Sequence, residues 1–287
     1  MKYAWIEQHC DQFAVARMCR QLTVSRSGFC QWKKRAPSPR AQAKTLLDAR
    51  VAAIHAHRKR RYGRPRIVRE LTAQGHPAGH ERVRQSLQQQ GLRPVYRRPY
   101  RVTTDSGHNK PVAPNVLDRR FTGWAPNQAW VGDVTFVWTS EGWLYLACVM
   151  DLASRRIVGW SMSDRIRADL VCTALKSAYW QRKPKPGLIM HTDRGSQYAS
   201  ASHRRLILDF KMTQSMSRKA NCWDNAAMES FFKTLKVEQI YQLRYETRAQ
   251  ARLDIVNWIE GFYNRERMHS AINYQIPVNA ESGLLAA

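Results

Sequence analysis

The sequence lacks any long apolar run and any pairing of its cysteines. No apolar stretch approaches the roughly 18 residues that a membrane helix needs, and the longest, residues 143–150, suits a core strand. The six cysteines form no CxxC pair and no regular framework, which is typical of reduced thiols in cytosolic proteins. The first residues do not have the pattern of a signal peptide. We therefore expect a cytoplasmic protein with no membrane partner.

Acidic residues are also scarce. The chain has 22 Asp and Glu against 47 Lys and Arg, a net charge of +25. The imbalance is concentrated at the front, since 22 basic but only 5 acidic residues precede residue 101. Such a field attracts polyanions and makes their binding depend on salt. A merely soluble basic protein is the alternative, but the excess favours a nucleic-acid-binding protein.

Three acidic residues lie in or next to predicted strands and helices, where a charged side chain needs a partner. Asp133 lies in the middle of a predicted strand at 130–139, a run rich in β-branched and aromatic residues. Asp193 ends a short apolar strand, and Glu229 lies on a predicted helix. A buried carboxylate is costly unless it is paired or coordinates a metal. Acids in these three places suit two divalent cations, which prefer oxygen ligands.

The helix that carries Glu229 also carries two lysines on the same face. Asp224 or Asn225 can cap the start of this helix. Lys233 and Lys236 follow Glu229 at i+4 and i+7, so the three side chains share one side of the helix. Lys236, and secondarily Lys233, are candidates to hold a DNA phosphate; the alternative is ordinary surface lysines.

The three acids and the sequence motifs around them resemble those of a known superfamily. Asp133, Asp193 and Glu229, the last 36 positions after the second, are similar to the D,D,E triad of retroviral integrases and transposases. The more specific signal comes from the stretches 191–198 (HTDRGSQY) and 217–226 (SRKANCWDNA). Both resemble the second-reading-frame (OrfB) transposases of bacterial insertion sequences.

This resemblance implies an enzyme that cuts DNA at the ends of an insertion sequence and joins it to target DNA by transesterification. It also implies two Mg²⁺ or Mn²⁺ ions, with Asp133 bridging both, Asp193 on one and Glu229 on the other. Lys236 matches a basic position of the family's signature, whereas Ala220 stands where the family usually has Gly. The implied partners are double-stranded DNA (terminal inverted repeats and target), further copies of the chain on DNA, and an upstream-frame protein as a fusion partner.

Two alternatives stay open. One is a catalytically silent DNA-binding repressor derived from such an element, which intact carboxylates disfavour. The other is an RNase H-like nuclease, which the basic front of the chain disfavours. A metal-dependent strand-transfer assay separates the first from a transposase, and a comparison of terminal repeats with RNA–DNA hybrids separates the second.

The part of the chain before the core is predicted to be helical and basic. Residues 1–36 have the spacing of a helix-turn-helix with Ser25 as an N-cap, although a plain helical hairpin explains the spacing equally well. A proline-containing break follows, and 40–92 is predicted to be a second, helix-turn-helix-like DNA-binding domain. Residues 93–126 are typical of a basic linker.

The 40–92 region concentrates its cations in one turn. Guanidinium groups placed together in this way contact phosphates more readily than base edges, and a solvated charged face is the alternative. The candidate DNA-contacting residues are Arg58, Lys59, Arg60, Arg61, Arg64 and Arg66. Nearby histidines lack the cysteine pairs that a zinc site of this kind needs.

The remaining residues, 127–287, are predicted to form the catalytic core. Three strands separated by hairpin-length turns precede helix, strand, helix and strand, and the Glu229 helix and a last helix follow. This order is typical of an α/β fold, an RNase H-like mixed sheet with flanking helices, as in an integrase catalytic core. Alternation along the first strand places Phe136 and Trp138 on the face opposite Asp133.

Overall fold

The computed structural model describes residues 1–95, 111–218 and 222–286. Its strands are β1 Ala129–Thr139, β2 Gly142–Asp151, β3 Ile157–Ser163, β4 Ile189–Thr192 and β5 Thr213–Met216. They form one five-stranded sheet in the order β3-β2-β1-β4-β5. The first three strands pair antiparallel, whereas β4 pairs parallel with both β1 and β5. The predicted α/β mixed sheet is confirmed.

Helices precede the sheet and cover both of its faces. Those before it are α1 Lys2–Gln8, α2 Val15–Gln21, α3 Arg26–Lys34, α4 Pro39–His57, α5 Arg64–Ala73 and α6 His80–Gln89. Those within and after it are α7 Ala168–Arg182, α8 Ala201–Asp209, α9 Ala226–Glu238, α10 Arg248–Val256 and α11 Pro277–Ala286. Short 3₁₀ turns lie at Cys222–Asn225, Ile240–Gln242 and Ser270–Ile272, and the π-helical segment Asn257–Tyr263 continues α10. Of the described helices, none has both the length and the apolar character to span a bilayer.

The sheet separates two apolar clusters. On one face, Val131 and Val137 of β1 pack with Phe231 of α9 and Ile255 of α10. On the other face, Trp130 of β1 packs with buried side chains of α7 and α8. Because both faces are covered, the first half of β1 lies in the middle of the molecule, as is usual for strands in α/β proteins.

The packing of α7 on β3 is tight at Gly159. A Cβ at this position would lie 2.5 Å from the carbonyl oxygen of Ala174 and 2.6 Å from the Cβ of Ala178. Because helix backbone cannot shift locally, we expect Gly159→Ala to lower the free energy of unfolding by about 1–3 kcal/mol. Urea denaturation measures this change. The matched control is Gly261→Ala, at an exposed helical position with open space, which should stabilise by roughly 0.5–1 kcal/mol. Equal effects of the two changes would contradict the packing of α7.

The three first helices form a small unit of their own. Their apolar cluster contains Ile6, Met18, Cys19 and Phe29. Ser25 is the N-cap of α3, as predicted, and its hydroxyl accepts the backbone N–H of Gly28 at 3.0 Å. A helix-turn-helix role for residues 1–36 stays a prediction.

Helices α4–α6 pack on the core as well as on one another. Ile67 of α5 belongs to the same apolar cluster as Trp258. The Tyr62 side chain is fully buried; its hydroxyl donates to the carbonyl of Glu266 and accepts from the N–H of Met268, both at 3.1 Å. The 40–92 region is therefore docked onto the segment that follows the π-helical turn.

The second half of the predicted linker lies against β5. The hydroxyl of Ser215 accepts the N–H groups of Val116 at 2.9 Å and Leu117 at 3.1 Å, and Leu117 is fully buried. This anchors the chain beside the sheet just before β1. Residues 96–110, the other part of the predicted linker, lie outside the described residues.

Candidate active site

The two aspartates lie side by side where two parallel strands end. The last pair in the register of β1 and β4 is Gly132 with Thr192. Asp133 and Asp193 are the next residues on the two strands. Because neighbouring strands are about 4.8 Å apart, the backbone holds the two carboxylates within reach of each other. The sheet thus brings together acids that are 60 positions apart in the sequence.

Glu229 reaches the same place from α9, which packs across β1. Its side chain is half-buried, and the apolar side of the helix lies in the core. Asn225 occupies the predicted N-cap position but makes no capping bond; its amide lies 3.5 Å from the carbonyl oxygen of Gly132. This contact ties the start of α9 to the residue next to Asp133.

The charges of Asp193 and Glu229 both act on Asp133, and we call the three acids the acidic cluster. Burial raises the pKa of Asp133 well above its usual range, and the charges of Asp193 and Glu229 raise it further. Lys236 acts in the opposite direction. Burial also raises the pKa of Glu229. Carboxylates whose ionisation is opposed in this way are relieved by a bound cation.

The chemistry of the donor set, three carboxylates, fits a hard divalent cation. Carboxylate oxygens are the ligands that Mg²⁺ prefers in proteins. Within residues 1–95, 111–218 and 222–286, however, no three His, Cys, Asp or Glu side chains are grouped closely enough to hold one ion. Since the charges of Asp193 and Glu229 both act on Asp133, these three carboxylates are the residues that would hold such a cation.

The two candidate lysines of α9 differ in their surroundings. Lys236 is half-buried, and its Nζ lies 4.8 Å from the ring centroid of Phe136. Burial lowers the pKa of Lys236, and the charge of Asp133 opposes that shift. Lys233, one turn earlier, is exposed. Lys236 therefore belongs to the surroundings of the acidic cluster, whereas Lys233 lies on the surface.

The structure divides the six predicted DNA-contacting cations into two sets. The exposed set is Lys59, Arg60 and Arg64. The engaged set, bonded inside the protein, is Arg58, Arg61 and Arg66. Arg58, for example, bridges Glu70 at 2.8 Å and Glu266 at 3.0 Å. In this arrangement only the exposed set is available to a phosphate. Glu266 lies 208 residues from Arg58, so the local sequence could not separate the two sets.

Two neutral residues beside the acidic cluster were not predicted. Tyr198 is buried; burial and then the charges of Asp133 and Asp193 raise its pKa well above the usual value. Cys148 is buried opposite Asp133 in the register of β1 and β2, and its pKa is raised in the same way. Tyr198 is the last residue of the 191–198 stretch, so the sequence resemblance could have identified it. No sequence feature pointed to Cys148.

Asp224, in the second stretch of the resemblance, has a structural task. It is fully buried and accepts from the guanidinium and backbone N–H of Arg218, all at 2.9 Å, and from Arg119 at 2.8 Å. The hydrogen bonds of Arg218 hold the pKa of Asp224 well below its usual range. Asp224 thus fixes the entry to α9 rather than joining the acidic cluster. Residues 219–221, among them Ala220, lie outside the described residues.

His191 is a buried, hydrogen-bonded histidine. The hydroxyl oxygens of Ser215 and Ser217 lie 2.8 and 3.2 Å from its ring nitrogens. Burial lowers the pKa of His191 from 6.5 to about 4, and burial lowers that of His203 to about 4 as well. Between these values the unfolded chain binds more protons than the folded protein. The folded protein therefore has its full stability above about pH 6.5 and loses part of it as the pH falls toward 4.

We expect the melting temperature to fall between pH 7 and pH 5 for this reason. His191→Gln should flatten the dependence by up to one proton as the pH approaches 5, which is at most roughly 1.4 kcal/mol per pH unit. Chemical denaturation at a series of pH values measures the slope. An unchanged slope in the variant would show that His191 does not titrate between the folded and unfolded states.

Comparison with protein families defines the class of the chain. Residues 124–222 and 210–277 match two families that are both described as Integrase core domain. Residues 41–100 match a family described as HTH-like domain. The chain therefore combines a helix-turn-helix-like region with an integrase core, which contains all three acids of the acidic cluster.

Curated relatives are similar over the whole length. The chain is 44% identical over 288 residues to "Transposase InsF for insertion sequence IS3A" of Escherichia coli K12, covering 100% of both chains. It is 42% identical to a 31 kDa protein of insertion element IS600 from Shigella sonnei, covering 89% of this chain and 94% of the other. The chain belongs to the family of InsF transposases of insertion sequence IS3. It is thus a transposase with an integrase core.

Solved structures give weaker likenesses. A simian T-cell lymphotropic virus intasome in complex with a PP2A regulatory subunit matches with a TM-score of 0.47 at 15% identity, covering 80% of this chain and 74% of that one. The catalytic core of HTLV-2 integrase in complex with magnesium matches with a TM-score of 0.43 at 15% identity, covering 55% and 99%. The family assignment rests on the sequence relatives alone.

Proposed function

We propose that this transposase cuts DNA at the ends of its insertion sequence and joins the ends to target DNA by metal-dependent transesterification at the acidic cluster. The observation that supports this most is the position of Asp133. It is the first residue of β1 beyond the pairing with β4, its pKa is raised by burial, and the charges of Asp193 and Glu229 raise it further. A site of this kind binds cations rather than acting as a protein nucleophile.

Asp133, Asp193 and Glu229 would hold two Mg²⁺ or Mn²⁺ ions. When bound, such ions activate an attacking hydroxyl and stabilise the leaving oxygen in a displacement at phosphorus. The protein's own contribution is to fix three carboxylates on a strand, a strand end and a helix. Tyr198 and Cys148 are buried beside the cluster, where the charge of Asp133 acts on both. Because a ligand must be ionised, the raised pKa of Asp133 makes metal affinity increase with pH.

Lys236 is placed to hold a DNA phosphate beside the acidic cluster. We expect Lys236→Gln to weaken binding of the element's ends and to lower the slope of log K against log salt by about one. Fluorescence anisotropy at several salt concentrations measures both quantities. The control is Lys176→Gln, an exposed lysine on α7. If both variants showed the same slope as the parent protein, Lys236 would make no phosphate contact.

We place the duplex of the terminal repeats on the exposed set, Lys59, Arg60 and Arg64. Lys59 and Arg60 line a cavity of about 570 Å³ together with Arg93, so three cations face one space. The family's HTH-like region supports DNA binding there. Binding of target DNA, assembly of several copies on DNA and fusion to an upstream-frame protein are further proposals that rest on the resemblance. Since the DNA of a bacterial element lies in the cytoplasm, we place the protein there.

The proposal is tested with purified protein and labelled duplexes that carry the inverted repeats flanking its own reading frame. Joined products should form with Mg²⁺ or Mn²⁺ and not with EDTA. Glu229→Gln should remove joining while leaving DNA binding within about twofold; Glu246→Gln, an exposed acid, is the control. Binding without joining in any metal would support the silent repressor instead. Preferential cleavage of RNA–DNA hybrid would support the nuclease.

A further inference from the structure

Three aromatic side chains lie exposed at the far end of the β1–β2 hairpin. Phe136, Trp138 and Trp143 are 37, 59 and 42% exposed. The ring of Trp143 packs edge-on against the other two, with centroids 5.0 Å from Phe136 and 4.8 Å from Trp138. We call these three residues the aromatic patch. Scattered exposed apolar residues are normal, but a contiguous group of large rings marks a binding surface.

The aromatic patch forms one side of a pocket along an edge of β1. Since the β4 pairing ends at Gly132, β4 does not cover the rest of this edge. The segment after α9 forms the opposite wall, partly through Leu243, and encloses a cavity of about 370 Å³. Lys236 and Arg244 also line this cavity. The pocket thus combines exposed aromatic rings with two cationic side chains.

The pocket lies close to the acidic cluster. Phe136 is three residues beyond Asp133 on the same strand, which corresponds to about 10 Å along the backbone at 3.3 Å per residue. The two side chains leave opposite faces of the sheet, so the two places connect around the edge of β1 that β4 leaves uncovered. One strand of duplex DNA advances about 3.4 Å per base step, so this separation spans about three nucleotides. Lys236 connects the two places, because its charge acts on Asp133 and its Nζ lies over the Phe136 ring.

We propose that this pocket binds unpaired nucleobases of the DNA strand next to the phosphate that is cut. The aromatic patch stacks on the bases, and Lys236 and Arg244 neutralise the phosphates between them. Aromatic rings combined with cations are the surface that binds single-stranded nucleic acid. A base in a stacked duplex has both faces covered by its neighbours and cannot stack on a protein ring, so the end of the element opens by a few base pairs when it binds. That the bound DNA is the end of the insertion sequence rests on the proposed function, whereas the stacking of bases on the aromatic patch does not depend on it.

The charges favour DNA over a protein partner. An apolar peptide or a second copy of the chain would bury the rings without needing Lys236 and Arg244. A nucleic acid strand uses both kinds of side chain at once. The net charge of +25 acts in the same direction.

The test compares two DNA ends in a protein that cannot cut. Glu229→Gln protein is titrated with a fully paired terminal repeat and with the same repeat whose last three base pairs are replaced by unpaired thymines. The unpaired end should bind about 5- to 100-fold more tightly, the range expected for losing or gaining a base stack. Trp138→Leu should remove this difference, whereas Trp138→Phe, which keeps a ring, should retain most of it. Trp180→Leu is the control, because Trp180 is 64% exposed on α7.

Equal binding of the two ends, or equal behaviour of Trp138→Leu and Trp180→Leu, would overturn the proposal. A change in oligomeric state in Trp138→Leu without loss of the difference would instead identify a protein interface. A second measurement needs no variant: 5-iodouracil in the unpaired end should cross-link to peptides containing the aromatic patch. Cross-links confined to other peptides would also overturn it.

Joining by the parent protein is measured in parallel. If joining fails but Trp138→Leu still loses the preference for unpaired ends, the pocket stands and the proposed function does not. If joining succeeds without any such preference, the proposed function stands and the pocket does not.

Discussion

Asp133→Asn is expected to abolish DNA joining while raising the melting temperature of the metal-free protein. Joining should fall by more than about 100-fold, because changes to residues that only hydrogen-bond to a metal ligand already lower activity by about 10- to 100-fold. Because the pKa of Asp133 is higher in the folded protein than in the unfolded chain, the unfolded chain gives up its proton first. The folded protein therefore loses stability as the pH rises above the unfolded value of about 3.9, and this cost is present at neutral pH. Asparagine removes that cost. Each kcal/mol gained should raise the melting temperature by about 2–4 °C in a protein of this size.

Thermal denaturation with and without Mg²⁺, next to the joining assay, measures both effects. Mg²⁺ should raise the melting temperature of the parent protein but not of Asp133→Asn, because a ligand stabilises only the state that binds it. The matched control is Asp209→Asn, an exposed aspartate on α8 that pairs with Arg205 at 3.0 Å. A variant that lost joining together with stability would indicate a structural role for Asp133. Undiminished joining would remove Asp133 from the site.

Arg267→Met is expected to lower the free energy of unfolding by about 3–5 kcal/mol. Arg267 and Glu238 are both buried and joined by two hydrogen bonds of 2.9 and 2.7 Å. Removing the arginine leaves a buried carboxylate whose closest remaining cation is Arg66 at 3.8 Å. Glu238 is the last residue of α9, so loss of the pair should also loosen the helix that carries Glu229. Urea denaturation measures the first effect and the joining assay the second.

The control for this prediction also removes the charge of Glu238, which Arg267→Met leaves without its partner. The double variant Arg267→Met with Glu238→Gln should recover most of the lost stability, because a neutral pair has less desolvation to compensate. If Arg267→Met were as stable as the parent protein, the pair would contribute nothing. If the double variant were no more stable than the single one, the loss would come from packing rather than charge.

The acidic cluster could be predicted because its signals are local. The apolar runs before Asp133 and Asp193 predict strands, and the helical spacing around Glu229 predicts a helix. The order of strands and helices then leads to the RNase H-like sheet, in which β1 and β4 are parallel neighbours. Which side of β1 is covered is not local information. The alternation of side chains along β1 puts Phe136 and Asp133 on opposite faces of the sheet. It cannot show that Phe136 and Trp138 are exposed, because helices that are distant in the sequence determine which part of that face is covered.

Contacts between distant parts of the chain were missed for the same reason. The engaged set of arginines was assigned to DNA because the carboxyl and carbonyl partners lie far along the sequence. The helix α11 was not predicted, although Pro277 suits a first helical position. What holds it is long-range: Glu281 is buried between Arg156 and Arg182. Arginines that pair with such distant acids look like a solvated basic face in the sequence.

The segment 263–270 has a structural role. The side chain of Asn264 accepts from the N–H of Ile157 at 3.0 Å and donates to its carbonyl at 3.1 Å, so it pairs with β3 as another strand would. Tyr263 donates to the carbonyl of Arg155 at 3.1 Å. With Arg267 holding Glu238, these side chains fasten the end of the core to the sheet and to α9.

We propose that Asp133 holds divalent cations together with Asp193 and Glu229. Anomalous scattering from Mn²⁺ in crystals of the parent protein tests it most directly. The expected result is two peaks, each about 2.1 Å from an oxygen of Asp133, one also bonded to Asp193 and the other to Glu229. Manganese bound away from Asp133, or a member of the acidic cluster turned away from every bound ion, would contradict the claim.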